Sequence, residues 1–143
     1  MLKFAEDAAL KAGVRLSKIV ERRVNSDAAN DVKLQEDVES EIFIRGILKD
    51  TGIEVVGEEK GGDATLISRT EPYWVVDPID GTFNFLRGIP SVCVSIGLMC
   101  GMQPIVGAVY DFTRNELFSG GREFGMFLNG TKVEPKWAKT MEQ

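Results

Sequence analysis

The chain has 143 residues, 43% hydrophobic and 27% charged, with a formal net charge of −5 and no histidine. That length and composition suit one globular domain with one core, and the acidic balance excludes the clustered basic surface that a nucleic acid polymer selects. Without imidazole, any chemistry must run on carboxylates, hydroxyls, backbone groups or a bound cation.

Residues 4–23 place Ala5, Ala8, Ala9, Ala12, Leu16, Ile19 and Val20 at helical spacing, with acids early and arginines late, which predicts an amphipathic helix. "NSDAAND" reads as a loop of turn and cap residues. A second helix is predicted over 35–50, with Val38, Ile42, Ile47 and Leu48 on its apolar stripe and Asp37 in its first turn. From residue 53 the texture turns to short β-type runs: "IEVVG", "ATLIS", "YWVVD", "SVCVSIGLM", "PIVGAVYDF" and "ELFSG". Within 91–98, Val92, Val94, Ile96 and Leu98 alternate with Ser91, Cys93, Ser95 and Gly97, the signature of a half-buried strand. "FLRGIP" reads as a helix end and a turn, and Asn129-Gly130 in "FLNGTKV" as a hairpin turn. Together these elements predict an α+β fold, two N-terminal helices packed on a mainly antiparallel sheet. Cys93 and Cys100 read as reduced core thiols. No apolar run reaches the ~18 residues of a spanning helix, and no signal peptide opens the chain; a cytoplasmic protein without membrane association is expected.

The run "YWVVDPIDGTFNF" carries the chemistry. Asp77 and Asp80 stand three positions apart at a predicted strand end, and Glu58-Glu59 follow "IEVVG". Hard cations such as Mg²⁺ take oxygen ligands, using a few carboxylates and keeping several waters, a demand that Glu58, Asp77 and Asp80 meet. Pro78 stiffens the turn, and the Ile79 carbonyl offers a further oxygen. Gly81 permits close backbone approach, and Gly81-Thr82-Phe83 opens a short helix whose N–H groups can receive a phosphate. The plain alternative stands beside this: Asp-Gly is a strong turn signal, and two aspartates around a proline also suit a solvated loop. Trp74, Phe83 and Phe85 are expected to form an apolar floor under the acids, and Arg87 to lie on the surface.

"VVGEE", "WVVDPIDGTFNFLRGIP" and "GMFLNG" together resemble the inositol monophosphatase family of Mg²⁺-dependent, lithium-sensitive phosphatases, over most of the chain. The resemblance implies the N-terminal half of a layered α/β sugar-phosphatase fold. It implies that Glu58, Asp77 and the Ile79 carbonyl hold one Mg²⁺, with Asp77 bridging to a second held by Asp80. It implies that Thr82 pairs with Asp37 to orient and deprotonate the attacking water, that Glu59 orders the surroundings, and that Gly81 and Thr82 offer N–H groups to the phosphate. The implied substrate is an inositol monophosphate or a related small sugar or polyol phosphate.

Two departures from the family pattern follow. Many relatives carry "D-x-V-T-x-x-D" before the first aspartate of the site, where this chain reads "DVKLQED". The family also supplies a later aspartate to the second metal from a "W-D-x-A-A-G"-like motif, and no such segment occurs here. The expectation is therefore that residues 1–143 form an N-terminal metal- and phosphate-binding domain whose C-terminal companion is absent, the closing "WAKTMEQ" reading as the approach to another element. An apolar surface left open by that absence would favour a homodimer. Rival readings are a non-catalytic metal-binding module, or a phosphatase for fructose bisphosphate, a nucleotide bisphosphate or histidinol phosphate.

Overall fold

The computed structural model describes residues 1–19, 24–28, 31–59 and 70–134, with 24–28 and 31–34 described by their backbone. Helix α1 spans Leu2–Leu16 and buries Ala5, Ala8, Ala9, Ala12, Gly13 and Leu16. These small side chains let the helix lie close against the sheet, where the Ser119 hydroxyl donates to Glu6 Oε1 at 2.7 Å. The helix is shorter than the spacing predicts. It stops at Leu16, where the Ser17 hydroxyl turns back onto the Val14 carbonyl at 3.0 Å, a local bond of the kind that competes with helical continuation. Ile19 still packs on the core, and the remainder of the predicted helix lies outside the described residues.

Residues 25–28 and 31 of the predicted loop "NSDAAND" belong instead to a two-stranded ladder, β1 (Val24–Ala28) paired antiparallel with β2 (Asp31–Leu34). Helix α2 (Gln35–Leu48) follows directly, with Glu36 and Asp37 in its first turn, where acids complement the positive end of the helix dipole. Its buried face matches the predicted stripe only at its C-terminal end, where Leu48 is buried and Ile47 packs on the core. Glu36, Asp37, Ser40, Glu41, Ile44 and Leu48 are buried, whereas Ile42 is 49% exposed.

Seven strands form the main sheet in the order β3-β4-β5-β6-β7-β8-β9: Val55–Gly57, Pro72–Asp80, Cys93–Cys100, Gln103–Asp111, Glu116–Gly121, Gly125–Leu128 and Thr131–Val133. All neighbours run antiparallel except β3 and β4, which are parallel. The α+β prediction holds. The short helix α3 (Thr82–Arg87) follows β4 and ends on Gly88 in the left-handed region. Asn129 and Gly130 both take positive φ, 49° and 75°, as a tight primed hairpin turn requires. "ATLIS" and "WAKTMEQ" lie outside the described residues.

Helices α1 and α2 cover one sheet face. Val94, Ile96, Leu98, Val106, Ala108 and Tyr110 point into this core with Trp74, Val76 and Ile44, so the alternation read for 91–98 is the observed one. The buried Trp74 indole donates to Thr51 Oγ1 at 3.0 Å, so its N–H is paired within the apolar layer. Both cysteines are free thiols. Among the described residues no helix is long and apolar enough to cross a membrane.

Candidate metal and phosphate site

Two strand ends meet at the site. Because β3 and β4 are parallel, with Gly57 opposite Val76, their C-terminal ends emerge at the same edge. The Glu58 N–H continues the pairing to the Val76 carbonyl at 3.3 Å, setting Glu58 beside Asp77. Chain connectivity alone separates these two residues by nineteen positions; the ladder removes that separation.

The "DPID" segment is not a turn after the strand but its last residues. Side chains three apart on a regular strand face opposite sides of a sheet. Here the β4–β5 register slips between Asp77, which pairs with Ser95, and Asp80, which pairs with Cys93. Ser95 and Cys93 share one face of β5, so the extra residue of the bulge brings both aspartates to that face, away from α1 and α2. Pro78 and Ile79 occupy the bulge and are fully buried; a bulge is also where a strand tolerates the missing proline N–H. The local chain direction then changes at Gly81, whose φ of 94° suits glycine alone, and a Cβ there would meet the Ser91 carbonyl oxygen at 2.8 Å.

Asp77 is electrostatically strained. Burial, then the charges of Glu58 and Asp80 and a hydrogen bond shared with Glu58, push its carboxyl from the ordinary 3.8 up to about 7, against a smaller opposing effect of the Ile79 backbone. Its Oδ1 is buried with no hydrogen-bond partner. An orphaned carboxylate oxygen costs about 1–3 kcal/mol or more, and a cation would relieve both the orphan and the repulsion. Beside it, Cys93 Sγ donates to Asp80 Oδ2 at 3.6 Å. Burial and the Asp80 charge push that thiol up to about 12, so it stays protonated at neutral pH.

The remaining predicted residues fall around this centre. The Thr82 hydroxyl donates to the Ile79 carbonyl at 3.0 Å, tying the start of α3 to the bulge. Asp37 is buried and engaged by its surroundings; α3 packs against β2, the strand that runs straight into the helix of Asp37. Glu59 donates its backbone N–H to Glu41 Oε2 at 2.8 Å. Glu58 and Asp80 are exposed. Among the described residues no three acidic, Cys or His side chains come together closely enough to hold a metal ion by themselves; Mg²⁺ is commonly bound through one or two carboxylates, with waters and substrate oxygens for the rest. A cleft of about 350 Å³ opens from Asp80 and Gly81, lined also by Asn84, Ser91, Cys93 and Arg114.

One expectation about the surroundings changes. Trp74 and Phe85 are buried, but Phe83 is 54% exposed and lies under the Arg87 guanidinium at 5.2 Å, so it is no part of an apolar floor. Arg87 is a surface residue, as expected. Sequence reasoning missed Glu41, buried directly behind the Glu58-Glu59 segment. Its available signal is Arg45, placed four residues on, where helical geometry brings the pair together.

Comparison with known proteins identifies the family and the fold. The profile of the inositol monophosphatase family matches residues 1–142. An inositol monophosphatase of Mesembryanthemum crystallinum is 42% identical over 134 residues, 90% of this chain and 50% of that protein. A fructose-1,6-bisphosphatase/inositol-1-monophosphatase of Aquifex aeolicus is 43% identical over 83 residues, 58% of this chain and 30% of that protein. The solved inositol monophosphatase of Anabaena superposes with a TM-score of 0.78 at 31% identity, covering 94% of this chain and 49% of that one. The chain thus spans about half the length of such relatives. With a family match from end to end and the DPIDGT bulge at the meeting of two strand ends, the chain belongs to the inositol monophosphatase family.

Proposed function

We propose that this chain provides the cation- and phosphate-binding part of a Mg²⁺-dependent phosphate monoester hydrolase acting on an inositol monophosphate or a related small sugar or polyol phosphate. The observation that carries the reading is the buried, unpartnered Oδ1 of Asp77 between two further carboxylates. Glu58, Asp77 and the Ile79 carbonyl would hold one Mg²⁺, and Asp77 with Asp80 a second. Bound there, Mg²⁺ supplies acidification of a coordinated water and neutralisation of charge on the phosphoryl oxygens. The protein's own groups do the rest. Gly81 and Thr82, at the opening of α3, offer N–H groups to the phosphate across a backbone that no Cβ obstructs. Thr82 and Asp37 orient the attacking water and take its proton, with Glu59 ordering the groups behind them. The cleft beyond Asp80 receives the alcohol part of the ester.

A second reading is favoured by the extent of the match, half of each longer relative: a module that binds cation and phosphate without turnover. The deciding experiment is phosphate release from myo-inositol 1-phosphate and fructose 1,6-bisphosphate across a Mg²⁺ titration, with Asp80→Asn as control. Release that requires Mg²⁺ and falls in Asp80→Asn is the expected result. No release from the folded chain would overturn turnover by this chain in favour of the module.

A further inference from the structure

We propose that Glu41 is the positioning residue of the cation site, fixing the Glu58-Glu59 segment to helix α2; this rests on the Mg²⁺ reading above. Glu41 is fully buried, and burying an ionised carboxylate is unfavourable unless its oxygens are well used. Here Oε1 accepts from Arg45 Nε at 2.7 Å and Oε2 accepts from the Glu59 N–H at 2.8 Å. That N–H belongs to the peptide joining Glu58 to Glu59, so the bond sets the direction in which the Glu58 side chain leaves the strand end. Arg45 extends the brace, its Nη1 donating to the Val55 carbonyl at 2.7 Å at the start of β3. Both ends of the β3 segment are thereby tied to one helix turn.

Two further features concern the same place. Gly57, with no positive φ, has no conformational need to be glycine; a Cβ there would run into the Glu41 carboxyl group, so its missing side chain is the space the carboxylate occupies. Asp37 lies one helical turn before Glu41 on the same buried face. A single rigid face therefore fixes Asp37 and the Glu58 peptide relative to each other. A structural role alone would be met by apolar packing between α2 and β3; instead a charge is aimed at the one peptide that carries a metal-facing glutamate.

The test is Mn²⁺ binding to the full chain, followed by the free-ion EPR signal with Mg²⁺ competition, at a temperature where near-UV circular dichroism shows each protein folded. Glu41→Gln keeps the shape, but its amide can present an acceptor to only one of Arg45 Nε and the Glu59 N–H. It is expected to weaken Mn²⁺ and Mg²⁺ binding by about 10–100-fold, the usual effect of losing an outer partner of a ligand, with an unchanged folded-state spectrum. A merely structural Glu41 lowers the unfolding midpoint and leaves the affinity of the folded chain as it was; that result would overturn the proposal. Arg45→Lys, a milder change that cannot span both Glu41 and the Val55 carbonyl, is expected to weaken binding several-fold, and wild-type affinity there counts against the proposal equally. Glu58→Gln separates the two layers of the argument. If it binds metal as the wild type does, the site itself is misplaced and this inference falls with it; if it loses affinity while Glu41→Gln does not, only the inference falls.

Discussion

Asp77 carries conflicting demands: it is half-buried, faces two other carboxylates and has an oxygen with no donor. In metal-free solution the folded state keeps its proton up to about pH 7, whereas the unfolded chain releases it near its ordinary 3.8. Between those values the folded state binds more protons than the unfolded one, so this group's contribution to stability is complete below the lower value and is lost as pH rises through the upper. In EDTA, the melting temperature of the wild type relative to Asp77→Asn is therefore expected to fall across that window and level off above it, read by circular dichroism; a difference independent of pH would show that Asp77 is not strained. Gly81 is constrained by backbone rather than charge. Gly81→Ala combines a disfavoured φ with a contact on the Ser91 carbonyl and is expected to cost about 1–3 kcal/mol in urea unfolding. The grouping of acids and the need for glycine are legible in "DPIDGT", although the residues alone also suit a solvated Asp-Gly turn. What was not legible is that Asp77 and Asp80 share a face, since a bulge in strand pairing leaves no pattern in the strand's own residues.

Helix α2 shows why element-level reading succeeded for some faces and failed for others. On α1 and β5 the buried positions are apolar, so periodicity gives the correct face. On α2 the buried face begins with Asp37, Ser40 and Glu41 and becomes apolar only at Ile44 and Leu48, so hydrophobic spacing points to Val38 and Ile42 instead. Acidic and hydroxyl side chains take the place of apolar ones in the first half of the core-facing stripe. Truncating Ile44, fully buried, is expected to cost about 2–5 kcal/mol, whereas Ile42→Ala on the exposed side should stay within about 0.5 kcal/mol of wild type; equal costs by chemical denaturation would contradict this orientation. The β1–β2 ladder was hidden for a different reason: "NSDAAND" is made of turn formers, and only the pairing of two segments makes them strands.

At the scale of the molecule, the described helices α1 and α2 cover one side of the sheet, and among the described residues the other side is open. Val75, Val109, Phe118 and Met126 are each at least 36% exposed on the uncovered face, beside a groove of about 360 Å³. A folded protein with such a surface is expected to bind an apolar dye; Phe118→Ser with Met126→Ser should lower that fluorescence while leaving the unfolding midpoint nearly unchanged, and undiminished fluorescence would place the exposed surface elsewhere. The same open face carries Asp77 and Asp80, so the cation site proposed above would stand at the margin of the uncovered sheet. The fold class followed from the order of helices and strands, whereas the parallel β3–β4 pair that brings Glu58 to Asp77 depends on pairing between distant segments. Whether the molecule's strained acidic edge is a cation site is tested most directly by calorimetric titration of Mg²⁺ into the wild type and Asp77→Asn at pH 8, both confirmed folded by near-UV circular dichroism. The account predicts saturable binding to the wild type that is lost in Asp77→Asn; indistinguishable isotherms for the two proteins would contradict it.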